Sequence, residues 1–228
     1  MNKKFKDILI MAVIGVVLAF PALAQTNAPL RQDVRTQAKT ESEAIKAKKT
    51  ELNAQLKETR EAAKKRIEAV REEAKKAVEA RRTELKDSIS KLRDEKKKQI
   101  ATRLDKQLTR LNAQWTDHFN NVLNRLSEIL SKVELRADKA GADGKDVSAA
   151  RAAVQNAKTT IETARTAVET QAQKTYIATF GSETELGTAF KAVKEQLKKD
   201  LFGLRDGAMK SSRDAVQSAL QALKSLNF

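Results

Sequence analysis

KKRIEAVREEAKKAVEARRTELKDSISKLRDEKKKQIATRLDKQLTRLNAQWTDHFNNVL, residues 64–123, lies inside a longer stretch, Asp33 to Arg136, that contains neither proline nor glycine. Ala, Leu, Glu, Lys, Arg and Gln dominate it, the residues that lose least on entering a helix. Uninterrupted, a helix of that extent measures roughly 150 Å at about 1.5 Å per residue. The reading that follows is a rod, with the rest of the chain either preceding it or folding back onto it. The fold class expected is all-α: a very long N-terminal helix whose last third forms an antiparallel three-helix bundle with two C-terminal helices.

The seam of the rod changes along its length. From Val34 to Gln99 it is thin: Val34, Ala38, Ile45, Leu52, Leu56, Ala63, Ile67, Val70, Ala74, Val78, Leu85, Ile89 and Leu92, mostly three, four or seven apart and diluted by alanine. Charges alternate there, and the pairs Glu61/Lys65, Glu72/Lys76, Asp87/Lys91 and Asp94/Lys98 stand acid first at i and i+4, the favourable order on a helix. From Ile100 the seam thickens through Leu104, Leu108, Leu111, Trp115, Phe119, Val122, Leu126, Ile129 and Val133. These large side chains predict packing against partners in the same chain.

Glycines at 141 and 144 end that helix, since glycine tolerates the left-handed backbone that follows a C-terminus, and Asp146 or Ser148 is placed to cap the next. Val147, Val154, Ile161 and Val168 alternate with Ala150, Ala157 and Ala164 in a strict heptad, predicting a second helix to Phe180. Ser182 and Glu185 match a capping box that opens a third helix. Gly203 and Gly207 inside that third pattern read as close helix packing or a kink. The expected bundle helices are 100–139, 146–180 and 183–226. Residues 33–99 are expected to project as a charged coiled coil with no partner in this chain, and an exposed seam argues for homo-oligomerisation through 34–92.

Residues 1–24 read as a secretory signal peptide: a basic start, an apolar run from Ile8 to Phe20 too short to span a bilayer, and Ala22 and Ala24 before the cleavage point. Residues 25–32, with Pro29, read as a flexible tail. The protein is accordingly expected to be exported, to the periplasm, cell surface or medium, with no transmembrane segment after cleavage. Absence of cysteine excludes disulfides, thiolate metal sites and thioether lipidation.

The 228 residues carry a net charge of +15 with 33% charged and 4% aromatic residues. The leader holds Lys3, Lys4 and Lys6 against Asp7, so most of the surplus stays with the mature part, which favours anionic partners. The candidate anion-binding face comprises Lys64, Lys65, Arg66, Arg81, Arg82, Lys96, Lys97 and Lys98; the plainer reading of these residues is a solvated, salt-bridged helix surface. His118 is the single histidine and reads as a bundle-edge residue rather than a metal ligand or catalytic base. Asp138, Asp143 and Asp146 fall near Gly144 but fail the calcium-loop spacing, so turn and capping chemistry accounts for them. No phosphate-cradling glycine loop or nucleophile elbow is present, so neither enzyme nor cofactor is expected.

The segments Trp115-Thr-Asp-His-Phe-Asn-Asn-Val-Leu-Asn-Arg-Leu126 and Gly144-Lys-Asp-Val-Ser148 resemble uncharacterised exported helical proteins of ultrasmall candidate-phyla bacteria. That resemblance implies a location and a fold style and transfers no site residues. The basic composition, leader and long charged helices are also similar to periplasmic holdase chaperones with coiled-coil tentacles. Three functional expectations follow: a spacer or interaction scaffold in the cell envelope, holding an envelope protein through its seam; a holdase; and non-specific binding of extracellular DNA or an acidic wall polymer.

Overall fold

The computed structural model describes residues 28–226, with side-chain surroundings from 36 onward. The leader assigned to 1–24 lies outside the described residues. The chain divides into two compact units, 1–42 and 43–228. In the first, the described residues are helical, and helix α1 (Ala28–Ala77) begins inside the stretch 25–32 expected to be a tail.

The second unit is all-α among its described residues. It contains the remainder of α1, then α2 (Glu79–Ser90), α3 (Glu95–Ala142), α4 (Ser148–Gln173), α5 (Leu186–Leu204), a π-helical turn at Arg205–Met209, and α6 (Lys210–Lys224). Helices α3, α4 and α6 pack closely, and α5 lies on α3. This is the expected three-helix bundle. Leu108, Phe119, Leu123, Leu126, Leu130 and Val133 of α3 meet the α4 heptad residues Val154, Ile161 and Val168 in one core, with Leu201, Val216 and Leu223 completing it. Ala150, Ala157 and Ala164 are fully buried, as the close approach of α4 requires.

The rod itself is corrected. It is not continuous: the helix breaks at Val78 and reverses at Lys91–Asp94, so residues 43–90 run back along α3 instead of projecting from the bundle. Ion pairs mark the antiparallel register, Lys48 with Asp138, Arg60 with Glu128, Arg71 with Asp117 and Arg82 with Asp105, their sequence separations shrinking toward the tip. Leu52, Ala63, Ile67, Leu85 and Leu92 of the thin seam are buried, and Val70, Val78 and Ile89 are packed against the core. The reversal combines local capping with a tertiary contact. Asp94 takes an extended backbone (φ −85°, ψ 113°), and its carboxylate accepts from the amides of Lys96 (2.8 Å) and Lys97 (3.3 Å), opening a new helix. Ser90 donates to the Asp87 carbonyl at 2.8 Å, and Leu92 buries itself under the turn. From the α4–α5 connection Glu183 fastens the tip, accepting from the Arg93 amide and, at 2.7 Å, from Lys97.

Two further boundaries differ. Helix α4 stops at Gln173 rather than Phe180, because Tyr176, Ile177, Ala178 and Phe180 are all buried, which no single helix face permits. The Asn112 amide donates to the carbonyls of Gln171 (3.1 Å) and Lys174 (3.0 Å), receiving the chain where it leaves the helix. The third helix passes through a π-helical turn, Arg205–Met209, that contains Gly207 and joins α5 to α6 without a gap. A Cβ on Gly203 or Gly207 meets no atom within 4 Å, so neither glycine serves close packing. The expected turn at Gly144 is present, with φ +80°, and the Asp146 carboxylate caps α4 by accepting from the Ser148 amide at 2.9 Å. The expected Ser182–Glu185 capping box is not formed: the Glu185 carboxylate accepts from the Gly181 amide (2.8 Å), the Ser182 hydroxyl pairs with that of Thr184 (3.0 Å), and α5 begins at Leu186.

Candidate functional site: a cationic face and two clefts

Helix α3 carries the bundle core on one side, and its charges divide sharply between its other sides. Apart from Glu95, which pairs with Lys98, its acids are taken up by neighbouring helices: Asp105 by Arg82, Asp117 by Arg71 at 3.0 Å, Glu128 by Arg60, Glu134 by Lys158 at 2.8 Å and Lys48, and Asp138 by Lys48 and Arg151. Its cations are treated differently. Lys96, Arg103, Lys106, Arg110, Arg125, Lys132, Arg136 and Lys139 are exposed, and none has a carboxylate within 4 Å among the described residues. At 100° per residue they share one outward sector, a stripe roughly 65 Å long. Asp117 and Glu128 fall in the same sector but are drawn aside by the arginines of α1. The stripe is therefore predominantly positive, with Asp117 and Glu128, each paired to an arginine of α1, as the acids within it, and its lower part borders a groove lined by Lys98, Arg103, Lys106 and Arg110 with Gln99, Thr102 and Gln107.

The cations selected from sequence are scattered by the fold. Arg66 pairs with Glu169 of α4 at 2.9 Å, Lys97 with Glu183, and Lys98 with Glu95 at 2.6 Å, while Lys64 approaches Glu68 at 3.9 Å. The bond to Glu183 holds the Lys97 ammonium above its ordinary pKa and the Glu183 carboxyl below its own. Lys65, Arg81 and Lys96 are exposed, and Arg82 is half-buried against α3. The eight do not form one face. The α3 stripe was missed because about twelve helix turns of mixed charge look neutral until the acids are assigned to partners on α1, α2 and α4.

Three clefts lie along the α1–α3 hairpin, and two of them also reach α4. One, of about 260 Å³, lies between α1, α3 and α4, floored by Leu52, Leu56, Leu130 and Ile161 and edged by Glu134, Lys158 and Glu162. Behind it Arg165 is 2% exposed; its guanidinium donates to Asn120 (3.0 Å) and Ser127 (3.3 Å) and stands 3.3 Å from Glu162, an angle that leaves Nε–H without an acceptor. Burial pulls the Arg165 pKa below its ordinary value. The second cleft, of about 190 Å³, sits at the break between α1 and α2 and is lined by Arg71, Lys75, Arg82, Lys174, Asn112 and Tyr176 among others.

His118 is exposed on α3, edge-on to Trp115 at 5.9 Å. Asp138 is engaged in ion pairs, Asp143 ends α3, and Asp146 caps α4. Among the described residues no three His, Cys, Asp or Glu side chains are grouped to hold a metal, and no helix is long and apolar enough to cross a membrane. No protein-family model, curated protein or solved structure matches the chain.

Proposed function

We propose that this chain is an exported, non-enzymatic protein that binds a linear polyanion, such as extracellular DNA or an acidic wall polymer, along the outer face of α3. The observation that supports it is the charge segregation of that helix: its acids are neutralised by α1, α2 and α4, and its exposed cations stand in one row. Export is the expectation carried by residues 1–24. The spacer reading depended on an unpartnered seam, and from Leu52 to Leu92 most of that seam is buried or packed against the chain's own core, which leaves polyanion binding the better supported reading. A row of lysines and arginines with no aromatic stacking platform suits contact with a charged backbone and no sequence readout.

Titration of the full chain with a DNA duplex of about 20 base pairs, which matches the stripe in length, at several salt concentrations tests this. Affinity falls steeply with salt, and the triple variant Arg103→Gln, Lys106→Gln, Arg110→Gln flattens the log–log slope by about 2 to 3 units at about 0.9 per lost phosphate contact. Poly-glutamate competes. Salt-independent binding, or a triple variant that binds like the parent, would contradict the proposal.

A further inference from the structure

The smaller cleft carries a second, separate site. Four cations line it, Arg71 of α1, Lys75 of α1, Arg82 of α2 and Lys174 beyond α4, and no carboxylate does. Their acidic partners, Asp117, Glu72, Asp105 and Asp200, all lie outside the lining. The loosest of these pairs is Arg82 with Asp105, at 3.9 Å, in which Arg82 Nε and Asp105 Oδ1 are buried with no hydrogen-bond partner. Arg82 therefore keeps donor capacity that its own carboxylate does not satisfy.

The opposite wall is locked. The Gln171 amide donates to Asn112 Oδ1 (3.0 Å) and to the Tyr176 hydroxyl (2.7 Å), which donates to Asp200 (2.8 Å), and Asp200 holds Lys174 at 3.2 Å. Arg71 is fixed as well, donating to the Ala113 carbonyl at 2.9 Å and to Thr116 and Asp117. Cations held in place before a ligand arrives lose little freedom on binding it.

We propose that this cleft binds a compact, multiply charged oxyanion, a phosphate or diphosphate group. A monocarboxylate meets too little of the convergent positive charge, whereas a phosphoryl group offers several oxygens to guanidinium and ammonium donors at once. The recess takes a single group, in contrast to the extended polymer assigned to the α3 stripe, and the two sites share no residue.

Calorimetric titration of the full chain with sodium pyrophosphate, orthophosphate and acetate at low salt tests the assignment. One saturable site per chain is expected, pyrophosphate binding more tightly than orthophosphate and acetate giving no saturable heat. Lys75→Ala is the informative variant, because Lys75 is exposed and its one ion pair is with Glu72 on the same helix, so the fold does not depend on it. It and Lys174→Ala each weaken pyrophosphate about five- to tenfold, read as the shift in dissociation constant. The stripe variant Arg103→Gln, Lys106→Gln, Arg110→Gln leaves pyrophosphate binding unchanged, which separates this site from polymer binding. No saturable heat up to about 10 mM, a Lys75→Ala protein that binds like the parent, or an equal loss in the stripe variant would overturn the proposal.

Discussion

Replacing Ile67 by alanine separates a folded-back α1 from a projecting one. Ile67 is 2% exposed and belongs to the main core, reached from α1 across the α1–α3 interface, where it shares a pocket wall with Asn120 and Asn124. The substitution removes three carbons, about 2.4 kcal/mol at about 0.8 kcal/mol each, to which an unfilled cavity adds. The interface relaxes more readily than the bundle interior, because long Arg and Lys side chains supply much of its contact, so the expected loss is about 2 to 3 kcal/mol. That loss is local. Amide exchange along 60–75, measured by mass spectrometry at low micromolar protein, should quicken about 30-fold or more, while α4 and α6 amides change little. On a projecting rod the same residue would face solvent or a second chain. An exchange rate within about twofold of the parent, or a change that depends on protein concentration, would refute the folded-back packing of α1.

The remaining predictions concern the caps and the π turn. Gly203 is exposed in α5 with open space at its Cβ position, so Gly203→Ala should raise stability by up to about 1 kcal/mol and the melting temperature by a few degrees; a lower melting temperature would mean that the backbone there needs glycine. The bond from the Ser148 amide holds the Asp146 carboxyl below the ordinary value. Because the folded-state pKa is the lower one, the stabilisation is fully present above the unfolded value of about 3.9 and is lost as pH falls through the folded value. Asp146→Asn should therefore differ from the parent in thermal melts at pH 6 and converge with it at the acid end, and a gap that persists in acid would contradict the capping role.

Much of the bundle was legible in the sequence. Large residues at three and four spacing from Ile100, the Val/Ile–Ala heptad of α4, the glycine at 144 and the cap at Asp146 are strong local signals, and each element lies within a few residues of its expected place at that end. The reversal at Lys91–Asp94 was not legible, because it uses neither glycine nor proline. Its only marks are Asp94 and two serines, and the i,i+4 pairs read across it favoured continuity. In the structure the members of the i,i+4 pairs are used otherwise: Asp94 caps α3, Glu72 turns to Lys75, and Lys98 turns to Glu95. Tertiary partners, above all Glu183 at the tip and the α3 acids facing α1, outweighed pairings worth a few tenths of a kcal/mol each. The same redistribution hid the candidate site. A cationic stripe on α3 becomes visible only after its acids are matched to Lys48, Arg60, Arg71 and Arg82, all of which lie before the turn.

That matching depends on the hairpin, so a distance across it is the most direct test. The chain has no cysteine, and Lys57→Cys with Lys132→Cys places one spin label on an exposed position of each arm. Helices packed side by side, with label arms added to an axial spacing of about 10 Å, should give a dipolar distance on the order of 15–25 Å. A continuous helix would separate the same positions by about 110 Å at about 1.5 Å per residue and give no measurable dipolar coupling, which would contradict the fold and, with it, the cationic face.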